Sequence, residues 1–118
     1  MGRRSRQRGK AAKLSAPETE YVSDGGDRLV LRGALTAGTR RKYEDTLRGG
    51  LQQEDAWQRA VELLFERLAV RWTINDVPTE GQHELLMRFR VASADERRWV
   101  RDILREHCAE HFPELQAP

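Results

Sequence analysis

Three observations predict an α+β domain, mostly helical, with a small antiparallel sheet or hairpin and three to four helices packed on it. Apolar side chains recur at helical spacing through most of the second half of the chain. A Gly-Gly turn sits between short β-rich runs at residues 21–35, and a further β-rich run at 69–74 interrupts the helical pattern. At 118 residues the chain has room for one domain, and 38% hydrophobic against 34% charged residues implies a lean core under a charged surface.

The chain opens on a basic arm. Residues 1–13 hold Arg3, Arg4, Arg6, Arg8, Lys10 and Lys13 and no acid, a charge of +6; subtracted from the net +2, that leaves −4 for the remainder. Residues 1–20 offer only Leu14 as a sizeable apolar side chain, which predicts a disordered arm preceding a compact domain at 21–118. The six cations are candidate phosphate ligands, and nucleic acid is their first candidate partner. The arm lacks the interleaved aromatics that would stack on bases, so it suits backbone contacts alone. A solubilising tail is the simpler reading of the same composition.

Residues 21–35 read as a β-hairpin around Asp24-Gly25-Gly26-Asp27, with Arg28-Leu29-Val30-Leu31-Arg32 as a strand. Leu29-Val30-Leu31 breaks the alternation and leaves the faces unassigned. A short helix over 40–47 follows, capped by Thr36 or Thr39, ended by Gly49-Gly50 and burying Tyr43 and Leu47. Arg40-Arg41-Lys42 falls in its first turn, where the helix dipole disfavours cations. That placement suggests an outside anion, with a solvated face as the plainer explanation.

The clearest helical period runs over 55–69, where Trp57, Ala60, Val61, Leu64, Phe65 and Leu68 share one stripe. Val70-Arg71-Trp72-Thr73-Ile74 then reads as a strand, either paired with the hairpin or continuing from the helix before it. Pro78 argues against further strand, and Thr79 with Gln82 has capping-box spacing, which predicts a helix over 80–90 with Leu85, Leu86 and Phe89 inward. Ser93 and Glu96 repeat the device ahead of a helix over 94–111 that turns Trp99, Val100, Ile103, Leu104, His107 and Cys108 inward. Phe112-Pro113 ends it.

The chemistry-bearing residues form no catalytic constellation, and no enzyme, cofactor or metal is expected. His107, Cys108 and His111, with His83, have ligand chemistry, but no acid sits at metalloprotease spacing and a lone cysteine makes a poor structural zinc site; core packing explains Cys108 better. No nucleophile elbow or phosphate loop occurs. One cysteine forms no internal disulfide, and neither a leader-like apolar run nor a membrane-length segment is seen. The expected setting is therefore cytoplasmic, with no membrane partner. Trp57, Phe65, Trp72 and Trp99 are core residues by default, and candidate partner contacts if a small domain completes its burial against another chain or a second copy.

The run from Val70 to Asp76, then Pro78-Thr79 and a leucine-bearing helix, resembles the Trp-x-hydrophobic-x-Asp, Pro-Thr, Leu-x-x-Leu pattern of small tail proteins of actinobacterial long-tailed phages and prophages. Among these it looks most like the tail assembly chaperones. The strand-like stretch at 28–36 is similar to their opening strand, so the resemblance spans about residues 21–112. Two features depart from the pattern: Val77 leads straight to Pro78 where the family often has a longer acidic, glycine-containing turn, and the basic arm has no counterpart. The resemblance implies a non-enzymatic assembly or structural protein that coats a helical tape-measure-like partner, self-associates, and works in the host cytoplasm or with the virion. The alternative from the residues is a nucleic-acid-associated protein that uses its arm.

Overall fold

The computed structural model describes residues 17–48 and 53–115. The chain enters through a hairpin, β1 (Glu18–Val22) against β2 (Arg28–Arg32), with Thr19 opposite Leu31 and Tyr21 opposite Leu29. Gly26 takes the left-handed conformation at φ +90° in the turn, and the Ser23 hydroxyl accepts the Asp27 N–H at 3.0 Å. The hairpin starts at Glu18, within the stretch assigned to the arm, rather than at Tyr21. Pairing with β2 satisfies the backbone there even though the side chains are polar.

Helix α1 (Ala37–Arg48) begins earlier than its expected residue 40 because Thr36 is the capping threonine: its Oγ1 accepts the Thr39 N–H at 3.1 Å. Gly49 and Gly50, expected to end this helix, lie outside the described residues. Helix α2 (Gln53–Leu68) runs directly into β3 (Ala69–Ile74), which pairs with β2 through Leu29 opposite Trp72 and Val30 opposite Arg71. The strand at Trp72 is thus part of the sheet. The register shifts between Val30 and Leu31, so that Ala69 faces Leu31 and Val70 is the extra residue.

The Pro78 expectation is corrected. Asn75 and Asp76, at φ 51° and 65°, make a two-residue turn with both residues left-handed, and β4 (Val77–Glu80) returns along β3 with Pro78 opposite Thr73. Proline is tolerated because the strand order β1-β2-β3-β4 leaves β4 at an edge, with one side free of the ladder. Thr79 consequently pairs with Trp72 rather than forming a capping box with Gln82. Helix α3 (Gln82–Arg90) instead starts after Gly81, at φ 91°, with no side-chain cap. Helix α4 (Ala94–His111) has the expected bounds and the expected box: Ser93 Oγ accepts the Glu96 N–H at 3.1 Å, and Glu96 Oε1 accepts the Ser93 N–H at 2.8 Å.

The architecture is α+β and mostly helical, a four-stranded antiparallel sheet with four helices among the described residues. Leu29, Leu31 and Trp72 on one sheet face meet Tyr43 of α1, Leu64, Phe65 and Leu68 of α2, Leu85 and Phe89 of α3, and Val100, Leu104 and Cys108 of α4. Phe65 lies at the centre, edge-on to Trp72 at 5.7 Å between ring centroids and stacked on Phe89 at 4.9 Å. The other sheet face exposes Glu18, Glu20, Val22, Arg28, Pro78 and Glu80.

Candidate partner-binding groove

The four aromatic candidates part company in the folded chain. Phe65 and Trp72 are 0% and 1% exposed, so neither reaches a partner in this conformation, and Trp99 is half-buried against the core. Trp57 is 48% exposed, against the expectation that it lies in the buried stripe. The buried face of α2 is rotated toward Ala56 and Leu63, which brings Trp57 to the edge of the stripe. The candidate phosphate ligands Arg3, Arg4, Arg6, Arg8, Lys10 and Lys13 lie outside the described residues.

Trp57 forms one wall of a groove of about 900 Å³ between the first turns of α2 and the outer side of α4. Val61 and Phe89, both nearly buried, supply an apolar floor, and Gln53, Glu54 and Gln58 continue the α2 wall. The α4 wall is basic: Arg97, Arg101 and Arg105 recur every four residues along one stripe, about 6 Å apart along the helix axis, with Arg98 beside them. Arg98 is 3.8 Å from Asp95, and Arg105 is 3.6 Å from Asp102. Among the described residues the Arg97 and Arg101 guanidinium groups have no ion-pair or hydrogen-bond partner, the Arg97 backbone N–H alone donating to the Ser93 carbonyl within the helix start. Two like charges four residues apart cost an isolated helix roughly 0.2–0.5 kcal/mol, a small repulsion that an anion set between them would relieve.

Other polar groups are accounted for inside the fold. Arg40 pairs with Glu114 and lies 5.3 Å over the Phe112 ring, so the outside anion suggested by its place in the first turn of α1 is replaced, for Arg40, by a carboxylate of this chain. His107 is fully buried: its Nε2–H donates to the Arg32 carbonyl at 2.6 Å, and its Nδ1 accepts the Tyr21 hydroxyl at 2.8 Å. That is the neutral imidazole, and burial, the main influence, lowers its affinity for a proton. Burial likewise pushes Tyr21 up to about 12, helped by Glu106 and Glu110, and pushes the Cys108 thiol up to about 11. Cys108 is a buried apolar filler rather than a nucleophile.

Among the described residues no group of three or more His, Cys, Asp or Glu side chains is placed to hold a metal ion, and no helix is long and apolar enough to cross a membrane. The chain matches no protein-family model, and no curated protein or solved structure resembles it significantly. The groove's chemistry is that of Trp57 on α2 and the arginines of α4. Its exposed indole was missed at the level of sequence because helical periodicity identifies a stripe but not which edge of the stripe neighbouring helices leave uncovered.

Proposed function

We propose that this protein is a non-enzymatic binding module whose groove between α2 and α4 receives a helical segment of another protein. The observation that carries the reading is Trp57, a large aromatic ring left about half exposed over an apolar floor and between polar walls. Exposed tryptophan in a concave apolar site is the residue type that dominates binding energy at protein interfaces, and two helices flanking a groove suit a third helix laid between them. In the setting that the sequence resemblance suggests, the partner is a tape-measure-like protein and the module takes part in phage tail assembly.

Co-expression of the chain with a tape-measure-like protein, followed by affinity capture, tests this reading. The intact chain is expected to retain the partner and Trp57→Ala to release it. Equal retention by the variant, or none by the intact chain, overturns the proposal. The +6 charge over residues 1–13 supports a second reading, binding of nucleic acid backbone through the arm. It predicts duplex binding that weakens steeply with salt and is lost when residues 1–13 are removed.

A further inference from the structure

We infer that the segment received by the groove is an acidic amphipathic helix, whose carboxylates one turn apart pair with Arg97 and Arg101 while its apolar face covers Trp57, Val61 and Phe89. This inference rests on the reading of the groove as a docking surface and adds the chemistry of the occupant. Arg97 and Arg101 stand one helical turn apart on the same wall and have no anion among the described residues, although Asp95 and Asp102 sit on the same helix. Asp95 and Asp102 are drawn instead to Arg98 and Arg105. A helix lying alongside α4 with Glu or Asp at i and i+4 presents carboxylates at the same rise of about 6 Å, so both guanidiniums are matched by one rigid element.

The remaining groove residues favour a helix over a nucleic acid strand. A strand of nucleotides calls for successive aromatic platforms along its length, whereas this groove holds one exposed aromatic ring. The apolar floor at Val61 and Phe89 offers nothing to a phosphate backbone and matches leucine-type side chains.

The test uses the full-length chain and a dye-labelled, side-chain-stapled helical peptide of about four turns, roughly 15 residues. One face of the peptide carries leucine, flanked by Glu at i and i+4. Companion probes carry Gln or Lys in place of Glu, and an oligothymidylate of similar length represents single-stranded nucleic acid. Fluorescence anisotropy is expected to show binding of the Glu peptide, weakened roughly three- to tenfold by Glu→Gln or by the double variant Arg97→Glu, Arg101→Glu, as befits two partly exposed ion pairs. The double variant is expected to gain affinity for the Lys peptide. Both arginines lie on the surface wall of α4, so circular dichroism should show the double variant folded.

Binding of Glu and Gln peptides with equal affinity, both lost in Trp57→Ala, overturns the acidic-helix inference and leaves the groove reading standing. Failure of the Glu peptide to bind at any concentration tested, or tighter binding of oligothymidylate than of the Glu peptide, overturns the inference as well. Unchanged binding of the Glu peptide to Trp57→Ala counts against the groove reading itself.

Discussion

Tyr21 and His107 are joined through a hydrogen bond of 2.8 Å that only one protonation state of the imidazole permits in this direction. The Arg32 carbonyl can only accept, so Nε2 of His107 carries the proton and Nδ1 offers its lone pair to the tyrosine hydroxyl. Three separate elements, β1, β2 and α4, are tied together by this one ring, which is fully buried and packs edge-on to Tyr21 at 5.7 Å.

A pH dependence follows from that arrangement. The folded state holds His107 below the ordinary histidine value of 6.5 because the ring is buried, so below that value the unfolded chain takes up a proton that the folded chain resists. The contribution is undiminished above 6.5 and is lost as pH falls from there toward the folded value. Urea unfolding at several pH values should show stability declining through this acid window. His107→Gln should flatten the decline, and Tyr21→Phe should cost about 1 kcal/mol at neutral pH.

Trp57 and Trp72 should respond in opposite ways to the same truncation. Trp72→Ala empties a site enclosed by Phe65 and the Arg88 guanidinium 5.3 Å from its ring, and is expected to cost about 3–5 kcal/mol. Trp57→Ala removes a half-exposed ring and should cost less than about 1 kcal/mol, while abolishing capture of the partner. Chemical denaturation of the two variants side by side checks the first half of this prediction.

Gly33 has no room for a side chain. A Cβ there would lie 2.9 Å from the Pro17 carbonyl oxygen and 3.4 Å from Nδ1 of His111, and the Gly33 N–H already donates to the same Pro17 oxygen at 2.8 Å. Gly33→Ala is expected to cost about 1–3 kcal/mol by forcing the chain before β1 away from β2. Thermal unfolding of this variant beside Gly25→Ala, where the nearest atom is 3.9 Å away, separates crowding from a general glycine effect.

Ser93→Ala should remove about 1 kcal/mol, since it takes away the acceptor for the Glu96 N–H at the start of α4. Glu96 is held below the usual carboxylate range, first by the hydrogen bond from the Ser93 backbone N–H and also by Arg88 at 3.1 Å. Its contribution is present above the unfolded carboxylate value and lost as pH falls through the folded one. An NMR titration of the Glu96 carboxyl is expected to show the lowered value in the intact chain and a further fall for neither Ser93→Ala nor Arg88→Ala. Arg88→Ala should move the value upward.

Elements that depend on neighbours within a few residues could be read before folding. The capping box at Ser93 and Glu96, the bounds of α4 and the turn around Gly26 all rest on local hydrogen bonds and backbone preferences, and they stand where the sequence places them. Thr79 and Gln82 have the same capping-box spacing as Ser93 and Glu96 but do not form a box, because Thr79 is taken up by the ladder to Trp72. The pair Asn75-Asp76 marked that hairpin, and the presence of Pro78 hid it.

The sequence by itself determined an α+β chain, most of its helix positions and the centre of each buried stripe though not its edges, because period and caps are properties of short segments. Only the tertiary structure decided that Phe65 and Trp72 close the core, that Arg40 finds its anion in Glu114, and that Trp57 faces Arg97 and Arg101 across a groove. Each of those outcomes depends on which of several suitable apolar faces meet, a choice made by the packing of the whole domain between residues far apart in the chain.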